Sequence, residues 1–183
     1  MLIVKKLLVF VILLSGCQRL KPEQVSVPEY PDLDTFYLSQ AILLGDHSLE
    51  KSVTLDAKQE TIRFEMDTIK WKKELSFFQE MNPNQPEYVG AFHKREEENT
   101  TTLSLKEGEK GILKLLLFTE DEDSYSSITA TIHEDKDVYV HHREVEVKLN
   151  NGLIQSFVIN GYQKMMLKDT VWFGIEGKVL LQE

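Results

Sequence analysis

DVYVHHREVEVKLNNGLIQ, residues 137–155, holds the pattern on which the fold turns. Asn151-Gly152 stands between two β-like runs. It is the strongest short hairpin signal in the chain, because both central positions of a tight two-residue turn need positive φ. Before the turn, Val145, Val147 and Leu149 alternate with charged residues, as in a strand with one wet face. Val138 and Val140 fall on the opposite parity. Side chains alternate strictly along a strand, so this change predicts a bulge or break at His141 to Glu144. A strong bend there suits a curved sheet wrapping a helix.

The rest of the C-terminal half reads the same way. Leu103 and Leu105 alternate with polar neighbours, as do Ile128, Ala130 and Ile132, and later Val171, Phe173 and Ile175. Ile112 to Phe118 is almost continuously apolar, the pattern of a central strand covered on both faces. His93, in FHKREEE, falls in what reads as a solvated loop. Towards the N-terminus, SVTLDAKQETIRFEM (52–66) reads as a hairpin, with Ile62, Phe64 and Met66 alternating against Arg63 and Glu65. Two helices flank it. The first runs from about Asp34 to Leu44, with Leu33, Tyr37, Ala41 and Leu44 on one face and Gly45 to stop it. The second lies in DTIKWKKELSFFQEM (67–81), with Trp71, Leu75 and Phe78 spaced four and three apart, Asp67 or Thr68 as its cap, and Pro83 and Pro86 ending it. The expected fold is α+β: two N-terminal helices with a hairpin between them, packed on an antiparallel, curved sheet of five or six strands.

The N-terminus has a different character. Lys5 and Lys6 precede an apolar run, Leu7 to Leu14, followed by Ser15, Gly16 and Cys17. Basic, then apolar, then small is the layout of an export signal. The run falls well short of the roughly 20 residues that span a bilayer. Leu14-Ser15-Gly16-Cys17 resembles the lipobox of bacterial lipoproteins. The resemblance implies cleavage before Cys17, with Leu14, Ser15 and Gly16 recognised by the signal peptidase. It also implies diacylglycerol on the thiol, an acyl chain on the new amino group and a place in the cell envelope. Gln18 after the cysteine, in place of an aspartate, favours the outer membrane over the inner, facing the periplasm. Residues 1–16 are then signal peptide and 17–31 a lipidated start and tether stiffened by Pro22, Pro28 and Pro31. Residues 32–183 form one α+β domain. Cys17 is the one cysteine, so no intrachain disulfide can form.

The full chain carries net charge −9. Without residues 1–16 it keeps 19 basic residues against 30 acidic, a charge of −11. Such a surface suits solubility and argues against nucleic acid as a partner. Catalytic patterns are missing: there is no nucleophile elbow, phosphate loop or dinucleotide fingerprint. Ser48-Leu-Glu-Lys51 matches S-x-x-K without its partner motifs. No cofactor is expected. His141 and His142 are weak metal candidates, since in a regular strand adjacent residues point to opposite faces. The acidic EDED run (120–123) lacks the spacing of a calcium loop.

WKKELSFFQEMNPNQP (71–86) resembles a segment found in a group of Gram-negative envelope lipoproteins, in which a tryptophan-led helix precedes an asparagine- and proline-rich turn and a β-rich half. That likeness implies a shared fold and brings no activity. The leading expectation is a non-enzymatic, lipid-anchored protein whose domain binds another envelope component. The alternative is a half-barrel carrier or sensor of a hydrophobic ligand such as lipid, with Trp71, Phe78, Phe157 and Trp172 as the candidate pocket. A hydrolase with an unfamiliar site ranks third.

Overall fold

The structure, a computed structural model, describes residues 29–180 apart from Asp123. Leu14, Ser15, Gly16, Cys17 and most of the tether lie outside the described residues. Helix α1 (Leu33–Leu44) leads into strands β1 (Ser48–Leu55) and β2 (Lys58–Phe64), then helix α2 (Thr68–Leu75). Two short 3₁₀ turns follow, Ser76–Met81 and Pro86–Tyr88. The remaining strands are β3 (Phe92–Glu97), β4 (Thr100–Leu105), β5 (Leu113–Asp121), β6 (Ser124–Lys136), β7 (Tyr139–Asn150), β8 (Leu153–Met165) and β9 (Val171–Leu180).

Among the described residues, nine strands form one antiparallel sheet, ordered β2-β1-β9-β8-β7-β6-β5-β4-β3. The α+β class is as expected, but the sheet is larger than five or six strands. The N-terminal hairpin is part of it, because β1 pairs with β9 along its full length. FHKREE is strand β3, not a solvated loop. An edge strand with no second sheet over it needs no apolar alternation, which is why periodicity missed it. Edge strand β2 is likewise exposed along its whole length, so its apolar residues do not mark a core face.

The Asn151-Gly152 turn forms as read, with φ of 50° and 73°. The bulge predicted at His141 to Glu144 does not. Pairing of β6 with β7 is unbroken from Ser127↔Lys148 to Lys136↔Tyr139, and β7 with β8 is regular through the same stretch. Val138 sits in the preceding turn, and Val140 lies on the face away from the helices. The inward row is Leu149, Val147 and Val145, then Arg143 and His141, so the core face turns polar without the strand changing faces. Irregularities occur elsewhere. One between Leu113 and Leu115 in β5 moves the inward parity from Leu113 to Leu116 and Phe118. That explains the continuous apolar run: β5 is buried on one face, and Leu115 is exposed on the other. A second lies next to the Asn151-Gly152 turn and sets Ile154, Phe157 and Ile159 of β8 inward.

The helices lie on that inward face. Asp32 caps α1, its Oδ1 accepting from the backbone N–H groups of Asp34 and Thr35 at 3.1 and 3.2 Å. Leu33, Tyr37, Ala41 and Leu44 are buried, as their spacing predicts, against Trp71, Leu75 and Phe78. Asp67 caps α2 through Lys70 N–H at 2.8 Å. The helix gives way to a 3₁₀ turn after Leu75, eight residues before Pro83. The asparagines of NPNQP clamp the start of α1. Asn84 Nδ2 donates to the Tyr30 and Pro31 carbonyls, Asn84 Oδ1 accepts from Tyr30 N–H, and Asn82 Nδ2 donates to Asp34. Tyr30 is thereby buried against Phe92, within the fold.

Gln40 is the buried polar link between layers. Its Nε2 donates to the Gly152 carbonyl at 2.7 Å and its Oε1 accepts from Ile154 N–H at 2.9 Å, joining α1 to the β7–β8 hairpin. Both side-chain groups are satisfied, so its burial carries no desolvation debt. Phe157 has a matching device. Its cross-strand partner is Gly177, and a Cβ there would stand 2.2 Å from the ring. The missing side chain is the space the ring occupies.

Candidate functional site

Where the inward face of the sheet runs past the core, α2 stands off it and leaves a cleft of about 750 Å³. Gly161 of β8 leaves room for its neighbours: a Cβ there would stand 2.3 Å from the His142 carbonyl oxygen and 2.8 Å from the Phe173 ring. Phe173 therefore lies close against the sheet and becomes floor. Ile159, Ile175, Leu49, Phe64 and Met66 complete an apolar lining drawn from β8, β9, β1 and the end of β2. A cavity of this size with apolar walls and a few polar groups is what small-molecule sites look like.

The rim is basic. Lys51 of β1, Lys70 and Lys73 of α2 and Arg143 of β7 border the cleft, with Glu74 the one acidic residue among them. Lys51 Nζ pairs with Glu74 Oε1 at 2.6 Å, which ties α2 to the sheet. Arg143 pairs with Glu80 of the 3₁₀ turn, while its buried Nε has no acceptor among the described residues. Lys70 Nζ donates to the Glu65 carbonyl at 2.6 Å and stands 3.8 Å from Asp67. Lys73 has no ion-pair partner among the described residues. A cation-rich cleft in a protein of net charge −9 is a local reversal of the overall field. His141 also faces the cleft, its ring 6.0 Å from that of Phe173. Burial, reinforced by the nearby Arg143 charge, pushes its pKa below the ordinary histidine value, so the neutral ring is favoured.

The four aromatic residues singled out as a pocket do not line this cleft. Trp71, Phe78 and Phe157 are fully buried core: Phe78 stacks on Tyr37 at 4.8 Å and meets Phe157 edge-on at 5.6 Å. Trp172 lies on the opposite face and is 59% exposed. It ends a row of rings on four successive strands: His133 and His142 are 5.7 Å apart, His142 and Tyr162 5.4 Å, and Tyr162 and Trp172 5.0 Å. Such cross-strand contacts stabilise a sheet by about 0.2–1 kcal/mol per pair. His141 and His142 do part to opposite faces, as regular alternation requires. Among the described residues no group of three or more His, Cys, Asp or Glu could hold a metal ion. Ser48 and Lys51, an odd number of positions apart on β1, are separated too: Ser48 bonds Glu65 and Arg63, Lys51 bonds Glu74. No described helix is long and apolar enough to cross a membrane.

Reading the sequence missed the cleft cations. Lys73 and Glu74 lie three and four positions after Lys70 on α2, a one-face signal visible beforehand. Their convergence with Lys51 and Arg143 depends on strand order, which no local pattern carries. No family model matches the chain, and no curated protein matches it. Among solved structures the chain is similar to the S-type phycobiliprotein lyase CPES from Guillardia theta, with 13% identity and a TM-score of 0.31, over 84% of this chain and 94% of that one. A TM-score this low does not establish a shared fold.

Proposed function

We propose that this is a non-catalytic binding domain that holds a hydrophobic ligand in the cleft between α2 and the sheet, anchored at the outer membrane by lipid on Cys17 and facing the periplasm. The observation that carries the reading is the cleft itself: about 750 Å³, floored by Ile159, Phe173 and Ile175 and not filled by the protein's own side chains. Of the functions weighed from the sequence, carriage of a hydrophobic ligand is the one this geometry favours. The anchor rests on the lipobox resemblance.

Native mass spectrometry of the whole chain bearing Cys17→Ala, purified from the periplasm, tests it. A reproducible lipid-sized added mass, lost when Ile175→Trp fills the floor, is the expected result. Equal uptake of radiolabelled myristyl alcohol by the parent and by a folded Ile175→Trp protein would overturn it.

A second reading, docking of another envelope protein, is favoured by α1. Leu38 and Ile42, one turn apart, are 48% and 62% exposed on its outward side. A photo-crosslinker at position 42 that captures no protein in intact cells would count against it.

A further inference from the structure

Resting on the cleft reading, we propose that the ligand is a single-chain amphiphile with a compact anionic head, which sits at Lys73 while its apolar chain lies across the sheet. The cleft cations Lys51, Arg143 and Lys70 are met by Glu74, Glu80 and Asp67 respectively. Lys73 is the remainder: one cation with no carboxylate partner among the described residues. A site that leaves one positive charge over beside an apolar floor is complementary to one negative charge on an apolar body. Arg143 also borders the cleft, with its guanidinium held by Glu80, so Lys73 is the charge left for the head group.

The shape of the floor argues for a chain rather than a compact ring. The cleft crosses five neighbouring strands, β7, β8, β9, β1 and β2. Four inter-strand gaps make a trough on the order of 19 Å long. The apolar surface then continues outside the helices, because Lys51 and Phe64 also border a smaller hollow lined by Val53 and Ile62. Val53, Ile62 and Phe64 are each between 41% and 52% exposed. Side chains so placed on an edge hairpin gain by being covered, at about 25 cal/mol per Å² of apolar area removed from water. A trough with a charge beside it and an uncovered apolar end fits a molecule with one head and one tail.

The test is titration calorimetry of the whole chain bearing Cys17→Ala with four probes that share one tail: myristate, myristyl phosphate, myristyl alcohol and myristyltrimethylammonium. The expected result is tighter binding of the two anions than of the alcohol by roughly tenfold or more, the scale of a charge-assisted hydrogen bond, with the ammonium weakest. Lys73→Met keeps an apolar stem, removes the charge and is exposed enough to leave the fold intact. It should abolish the advantage of the anions and leave the alcohol unchanged. The relative strength of myristate and myristyl phosphate then distinguishes a carboxylate head from a phosphate head. If all four probes bind alike, or Lys73→Met changes none of them, the head-group assignment fails while the cleft reading stands. If none binds, both fail.

Discussion

Gly177 and Phe157 make the sharpest test of how the core is built. Gly177→Ala would place a methyl group 2.2, 2.3 and 2.7 Å from three ring atoms of Phe157. The ring cannot step aside, because it is 1% exposed and held edge-on by Phe78. Overpacking of this kind costs about 1–3 kcal/mol, against a gain of roughly 0.5–1 kcal/mol from replacing glycine inside a regular element. The single variant should lose about 1–2 kcal/mol. Phe157→Ala should lose about 3–5 kcal/mol, the usual result of emptying an aromatic site in a core. In the double variant the new methyl group meets no ring and partly refills the void. The combined loss should therefore fall short of the sum by about 1–3 kcal/mol. Urea unfolding of the four proteins, at matched m values, measures the coupling directly. Losses that add to within about 0.5 kcal/mol would refute the claim that the glycine is there to seat the ring.

Other variants probe the joints of the fold. Gln40→Leu leaves the Gly152 carbonyl and Ile154 N–H without partners and should cost about 2–4 kcal/mol in urea unfolding. Gln40→Glu should also destabilise at neutral pH and recover in acid, where its carboxyl proton replaces the lost donor. Asp32→Ala removes the α1 cap and should cost about 1 kcal/mol at pH 7. Hydrogen bonds from Thr35 hold the Asp32 carboxyl below its ordinary pKa, so its contribution is present above the unfolded value of 3.8 and lost as pH falls through the folded one. The gap between parent and variant should therefore narrow by pH 2. Cys17→Ala should move the protein from the membrane fraction to the soluble one with its thermal unfolding unchanged, and continued pelleting of the folded variant would contradict the anchor.

Local signals were enough for much of the architecture. The Asn151-Gly152 turn, the cap at Asp67, and the buried rows Leu33-Tyr37-Ala41-Leu44 and Trp71-Leu75-Phe78 are legible because each depends on residues within a few positions of one another. The same locality misled at two places. The parity change between Val140 and Val145 resembles a bulge, yet it records the inward face passing from core to a basic cleft. The apolar run of β5 resembles a strand buried on both faces, yet it carries a register shift. Periodicity reports which residues are apolar, whereas burial depends on what packs over each face.

What the sequence by itself determined is the sheet-rich α+β class, both helices, most strands and the residues that fill the core between them. Only the tertiary structure decided that β1 closes on β9, which brings the N-terminal hairpin to the C-terminal strand. That long-range pairing sets Lys51 opposite Glu74, aligns Phe64 with Phe173 and Ile175 as one floor, and leaves Lys73 without a carboxylate among the described residues. Hairpin turns and helix caps are encoded in neighbouring residues, but a cleft built from five strands and a helix exists only once strand order is fixed.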